Sequence, residues 1–314
     1  MDFRFIDLFA GIGWIRLWFE KAFWKWCVFS SEFDKFCQIT YWWNHWDTPH
    51  GDITKIDEKT IPNFDILLAW FPCQPFSNAG LRKGFEDSRW TLFFDIARIV
   101  KHHKPRVVFL ENVKWFRNHD EGNTFKVVTW TLEDLWYKIY SKVLNARDFW
   151  VPQNRERIYI IWFLDDVDFE FPTPHKNSVK LWDILEDKVD AKYTISDKLW
   201  AGHQRRKQEH KEKWNWFWYS LFNKDSAYTS TISARYYKDG SEILIEQKGK
   251  NPRKITPREA ARLQWYPEEF QIMVSDTQAY KQFWNSVCVL VIEALARQVK
   301  KAIYSFNKKK WQKN

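Results

Sequence analysis

The chain has 314 residues and a formal net charge of +9, long enough for one large domain or a domain with an insertion, and basic enough to suit a polyanionic partner. Its four cysteines (Cys27, Cys37, Cys73 and Cys288) show no CxxC spacing, which excludes a disulfide framework and argues against a structural zinc site. No stretch reaches the ~18 apolar residues of a membrane span, and Met1 leads straight into a strand pattern without a signal peptide, so a cytoplasmic protein is expected.

In chain order, Phe3 to Phe9 alternates like a strand and ends in Ala10-Gly11-Ile12-Gly13, followed by a helical pattern from Ile15 to Ala22. A second strand, Cys27 to Ser31, ends at Glu32; a helix follows over Asp34 to Asn44, and Gly51-Asp52-Ile53-Thr54 closes a third unit. Asp65 to Ala69 reads as a strand, Leu92 to His102 as a helix, and Arg106 to Leu110 as a buried strand ending at Glu111. A helix over Thr124 to Leu135 and strands over Tyr137 to Leu144 and Ile158 to Phe163 complete the run. Strands and helices alternating at this spacing predict an α/β fold with a largely parallel sheet.

From about Pro172 to Lys254 the texture turns polar and basic, with short strand-like pieces at Tyr228 to Ala234 and Glu242 to Ile245. Thr256-Pro257-Arg258-Glu259 then opens a helix with an N-cap and a proline at its first position. A last amphipathic helix runs over about Val289 to Ile303. The expected organisation is a first domain over 1–172, a smaller one over 173–273, and a segment 274–314 that returns to the first. Of the two basic clusters, Lys198 to Lys213 is the better nucleic-acid candidate, while Lys308-Lys309-Lys310 reads as a solvated end.

The candidate chemistry sits at strand ends. Phe71-Pro72-Cys73-Gln74-Pro75-Phe76 would present a thiol at the carboxyl edge of the sheet, with two prolines restricting the backbone around it. The bland alternative is a buried structural cysteine. The turn Phe9 to Gly13 lets a ligand approach the backbone, and Glu32 ends the next strand where it can take ribose hydroxyls. The turn lacks a phosphate-cradling lysine, which suits a nucleoside such as S-adenosylmethionine better than a nucleotide. Glu111-Asn112-Val113 ends another strand, and Gln153-Asn154-Arg155-Glu156-Arg157 places two arginines on one strand face. Each of these alone also fits an ion-pair partner or a solvated face.

Taken together and in order, these motifs resemble the DNA cytosine-5 methyltransferases, in particular the compact bacterial restriction-modification enzymes. The resemblance continues through Arg258-Glu259-Ala260-Ala261-Arg262-Leu263-Gln264 and Gln282-Phe283-Trp284-Asn285-Ser286-Val287, and so covers nearly the whole chain. It implies a Rossmann-like S-adenosylmethionine methyltransferase fold, with 173–273 as the target-recognition domain. The Cys73 thiolate would add to C6 of a cytosine flipped out of double-stranded DNA. Glu111, kept partly protonated, would hydrogen-bond N3 and the exocyclic amine. Arg155 would hold O2, and Arg157 would orient the catalytic groups. C5 would then take the methyl group, and loss of its proton would expel Cys73.

The same resemblance places Phe9, Gly11, Gly13, Glu32, Phe33, Asp52, Ile53, Pro72, Leu92, Asn285 and Val287 around the cofactor, with Phe33 stacked on adenine. Ser77 to Arg89 resembles a loop that closes over DNA. Thr231 would lie near the backbone of the flipped nucleotide, and Arg205, Arg206, Arg235 and Lys238 would contact guanines or phosphates, phosphate contact being the commoner outcome. Gly202 to Lys213 and Ser233 to Gly240 look like enzymes that target CC-GG type sites. A monomer is expected, with a separately encoded cognate endonuclease. The Cys-Phe-Thr tripeptide of the family's tRNA-directed branch is absent. A tRNA methyltransferase and a catalytically dead DNA-binding protein on the same fold are the rival readings.

The composition departs from that pattern, with 9 glycines against 22 tryptophans. Trp14, Trp70, Trp90, Trp150, Trp265 and Trp284 stand where the family usually has glycine, and Trp214, Trp216 and Trp218 look like another glycine run so replaced. This points to a systematically altered member. A left-handed backbone costs a non-glycine residue ~1–2 kcal/mol, and overpacking costs ~1–3 kcal/mol per site. Poor folding or weak cofactor binding is therefore expected.

Overall fold

The structure, a computed structural model, describes residues 3–24, 26–71, 91–175, 179–212, 219–233 and 235–312. The chain divides into two compact units, one formed by 1–144, 156–173 and 291–314, the other by 145–155 and 174–290.

The first unit is built on a six-stranded sheet of β1 (Phe5–Leu8), β2 (Cys27–Ser31), β3 (Ile66–Trp70), β4 (Val107–Val113), β5 (Lys138–Asn145) and β6 (Glu156–Phe163). Their order is β2-β1-β3-β4-β6-β5, with β2, β1, β3 and β4 parallel and β6 antiparallel to β4. The mixed, mostly parallel sheet agrees with the expected α/β class. Its central strands are apolar on both faces: Ile66 to Ala69 and Val107 to Leu110 are wholly buried, as strands covered by helices on both sides must be.

Helices α1 (Trp14–Phe23), α2 (Lys35–His45), α3 (Thr91–His103) and α4 (Asn123–Glu133) belong to this unit. Phe5 and Phe19 pack edge to face, and Phe19 does the same with Phe109, so the aromatic stripe of α1 seats on β1 and β4. β1 is followed by β2 on one side and pairs with β3 on the other. The gap between β1 and β3 is thus the topological switch point, where open α/β sheets bind ligands beyond their carboxyl ends.

The second unit contains α5 (Asp197–Glu212), a small sheet of β7 (Leu221–Phe222), β8 (Leu244–Ile245) and β9 (Arg253–Lys254), and the helices α6 (Tyr236–Asp239), α7 (Pro257–Arg262) and α8 (Asp276–Asn285). The helix start expected at Thr256 is present: Thr256 and Glu259 form a reciprocal capping box with Pro257 in the first turn. Glu259 is wholly buried and pairs with both Nη groups of Arg253, at 2.7 and 2.8 Å. α8 packs on α6 and α7, so residues 274–290 stay with the second unit. The last helix, α9 (Val289–Trp311), runs two turns past the expected end, because the lysines at 308–310 are helical.

A candidate active site at the sheet switch point

The carboxyl edge of the first unit's sheet gathers most of the residues the motifs single out. β1 delivers the turn 9–13, in which Phe9, Gly11 and Gly13 all take positive φ. Gly13 has no substitute there: a Cβ would lie 2.1 Å from His45 Nε2 and 2.9 Å from Tyr41. β2 delivers Glu32, which is nearly buried. Its Oε2 accepts from Gly11 N and its Oε1 from Asp34 N, both at 2.8 Å.

Burial raises the Glu32 pKa and those two amides oppose the rise. Each oxygen keeps a second lone pair for a ribose hydroxyl. Phe33, next in sequence, is 75% exposed and offers a bare ring face. Asp52 accepts from Thr54 N at 3.1 Å, capping the turn that buries Ile53. Ser31 Oγ donates to Gly51 O at 2.8 Å and ties this turn to the end of β2. Leu92 lies in the first turn of α3.

β4 supplies Glu111, opposite Trp70 in register and wholly buried. Arg157 on the antiparallel β6 brings its Nε within 3.2 Å of Glu111 Oε1, the arginine side chain being only 8% exposed. Burial lowers the Arg157 pKa and Glu111 opposes it. Asn112 Nδ2 donates to Phe71 O at 3.0 Å, so β4 also fixes the residue that follows β3. Pro72, Cys73, Ser77 and Arg89 lie outside the described residues, as do Trp90, Trp214, Trp216 and Trp218.

The sequence reading missed the layer beneath this edge. Arg16 is 4% exposed and donates to Glu20 at 2.8 Å, to Tyr41 Oη at 2.7 Å and to Asp47 at 2.6 Å, clamping α1 to α2. His45 packs against the Tyr41 ring at a tilt of 44° and shares a 3.2 Å bond with Ile12 O, and burial lowers its pKa to about 4. The available signal was an arginine on the apolar stripe of an amphipathic helix.

Other predicted residues gather in the second unit. Arg155 is buried, and its Nη2 donates to Trp284 O at 2.8 Å and to Ser286 O. The neighbouring Gln153 Nε2 donates to Leu263 O at 2.8 Å, and Thr231 Oγ1 donates to Asn154 O at 2.6 Å. Arg155, Thr231, Asn285 and Val287 thus belong to one packed region. Arg205 on α5 is 74% exposed beside Glu209. Arg206 bonds His203 Nδ1 at 2.9 Å and lies 3.6 Å from Asp239, so it anchors α5. Arg235 and Lys238 are exposed.

Residues 3–301 match the family model described as C-5 cytosine-specific DNA methylase. The chain belongs to that family. It is 60% identical over 311 residues to Type II methyltransferase M.NlaX of Neisseria lactamica, covering 98% of this chain and 99% of the relative. Type II methyltransferase M.HhaI of Haemophilus parahaemolyticus is 43% identical over 307 residues, covering 94% of each chain. Among solved structures, a variant of DNMT2 from Spodoptera frugiperda superposes with a TM-score of 0.79 at 20% identity, over 95% of this chain and 100% of that one, a likeness of fold.

As a C-5 cytosine-specific DNA methylase, the enzyme takes its methyl group from S-adenosylmethionine. The residues present fit that cofactor. The left-handed turn would admit close approach, the oriented Glu32 would accept ribose hydroxyls, and the exposed Phe33 ring would be open to adenine. Among the described residues no helix is long and apolar enough to cross a membrane, and no acidic, histidine or cysteine cluster would hold a metal.

The reading of the tryptophans holds in part. Trp14, Trp70 and Trp284 lie in α1, β3 and α8 and carry no left-handed backbone. Trp150 and Trp265 do carry it, with φ of 69° and 65°, and so do Trp24, Trp46 and Trp136, which the sequence reading did not name, at 58°, 52° and 71°.

Proposed function

We propose that the protein is the modification half of a restriction-modification system. It methylates C5 of a flipped cytosine in double-stranded DNA, as a cytosolic monomer whose endonuclease is a separate chain. The observation that carries the reading is the buried Glu111–Arg157 pair at the carboxyl end of β4, in register with the strand that leads to Cys73. A carboxyl group held by a guanidinium can meet the N3 and amine edge of cytosine.

Arg155 has committed its Nη2 to two backbone carbonyls, which favours Arg157 for the base O2. Cys73 adds to C6 and leaves when the C5 proton is lost. Bound S-adenosylmethionine supplies the electrophilic methyl group. The other cysteines suit structural roles: burial raises the Cys27 and Cys37 thiol pKa values, and Cys288 is 1% exposed. Residues 173–273 act as the target-recognition domain, with Thr231, Arg235, Lys238 and the exposed Arg205 toward DNA and Arg206 bracing them.

The test is trapping on a 5-fluorocytosine duplex library with S-adenosylmethionine, because fluorine at C5 blocks elimination. A Cys73-dependent covalent adduct reports both reaction and target sequence. A folded protein that forms no adduct on DNA would leave the dead-protein reading, and an adduct on tRNA alone the tRNA reading.

A further inference from the structure

The catalytic edge leaves one strongly basic feature unused. α1 descends from the glycine turn at the carboxyl edge of the sheet, and its ten residues span ~15 Å. Its far end therefore lies at the opposite, amino edge. There α9 packs beside it, with Lys300 Nζ donating to Ala22 O at 2.7 Å. Between the two helices lies an open groove of about 740 Å³, lined by Trp18, Lys21, Trp24, Arg297, Lys301 and Tyr304 among others.

The charge is one-sided. α9 carries six basic residues against a single acid, Glu293, which Arg297 neutralises at 2.6 Å. Lys21 and Lys301 are exposed, and Arg297 keeps 72% of its side chain in solvent. From Arg297 to Lys310 the helix advances ~20 Å. A DNA strand places a phosphate every ~3.4 Å along its axis, so about six phosphates face that length. Lys309 also pairs with Asp168 at 3.6 Å, which leaves the groove itself as the stronger cationic part.

We infer that this α1–α9 groove is a second DNA-binding surface, which holds the backbone of a duplex segment other than the one presented to the catalytic edge. Charge complementarity identifies the occupant, and the sites lie at opposite edges of the sheet, so one straight segment does not serve both. The second hold keeps the enzyme on the polymer between transfers. The inference rests on the DNA substrate but not on the roles given to the catalytic residues.

The test uses the full chain and the variant R297Q/K301Q, both exposed positions outside the proposed active site. On a duplex barely longer than the trapped target, transfer rate and affinity should match the parent, which separates this inference from a failure of the functional reading. On long duplex DNA lacking the target, the slope of log affinity against log salt should shrink by about 2, since each phosphate contact contributes ~0.9. Modifications per binding event on multi-site DNA should fall severalfold. An unchanged slope, or equal losses on short and long duplexes, would overturn the inference. So would an unchanged slope with variant-sensitive binding of polyglutamate, which would assign the groove to an acidic protein.

Discussion

Replacing Trp24 and Trp136 by glycine should stabilise the protein. Both follow a helix in the left-handed conformation, with φ of 58° and 71°, and their amides donate to Glu20 O at 2.7 Å and Glu133 O at 2.8 Å. Helices ordinarily end this way with glycine. Their side chains are 83% and 87% exposed, so truncation removes little packing. The left-handed backbone costs ~1–2 kcal/mol per residue, and glycine returns ~0.5–1 kcal/mol as lost chain entropy. The net gain is ~0.5–1 kcal/mol per site, or ~1–2 kcal/mol for W24G/W136G. At about 2–4 °C per kcal/mol, thermal denaturation followed by circular dichroism should show Tm rising by about 2–8 °C. The control is W130G: Trp130 is 59% exposed but sits inside α4, where glycine is the poorer helix former by roughly 0.5 kcal/mol. Its Tm should fall. If W24G and W130G shift Tm in the same direction, backbone conformation is not what sets the cost of these tryptophans.

The remaining predictions concern the site and its supports. E32A should raise KM for S-adenosylmethionine about tenfold or more with a smaller effect on kcat, measured by steady-state methyl transfer, because it removes both the hydroxyl acceptor and the partner of Gly11 N; an unchanged KM refutes the placement. E111Q should lower single-turnover methylation by about 10²–10⁴-fold, the usual scale of acid–base assistance, while leaving cofactor affinity intact. His45 has a folded pKa of about 4 against ~6.5 unfolded, so the unfolded chain binds the extra proton. Its contribution to stability is complete above pH ~6.5 and is lost as pH falls toward 4, and H45F should flatten that part of a pH-denaturation curve. E259A breaks a buried ion pair with Arg253 and should destabilise the second unit by ~3–5 kcal/mol in urea titration.

Legibility followed the apolar pattern. Every strand of the large sheet and each helix packed on it could be read, because alternation and helical periodicity record which faces are buried. α5 escaped notice because only His203 of its sixteen residues is buried, so no stripe marks it. Tyr228 to Ala234, read as strand-like, instead holds a single bridge among its described residues, Gln153 to Thr229. The insertion of β6 between β4 and β5 was also invisible, since pairing partners leave no local trace. In the site, Glu32 and Glu111 stood out as acids at strand ends. The difference between Arg155 and Arg157 did not: both were expected on one strand face, but β6 begins at Glu156 and leaves Arg155 just before it, and the distant chain offers them different partners, carbonyls at 284 and 286 for one and Glu111 for the other.

The tryptophans show the same limit from the other side. Five of the nine non-glycine residues with positive φ among the described residues are tryptophan, although tryptophan supplies only 22 of 314 positions. Chance does not concentrate a bulky residue where the backbone least tolerates a side chain. The turn positions therefore belong to the fold, and the side chains there work against it. At ~1–2 kcal/mol each, the five sites together cost ~5–10 kcal/mol, comparable with the ~5–15 kcal/mol that separates a domain from its unfolded state. Gly11, Gly13 and Gly122 remain glycine at φ of 55°, 84° and 84°. The cofactor turn thus keeps glycine at two of its three left-handed positions, Phe9 at φ 54° being the third, while the tryptophan strain falls outside it. The expected deficit is accordingly one of stability, and cofactor affinity measured well below Tm should respond little to W24G/W136G. A large gain in affinity there would instead place the strain inside the cofactor site.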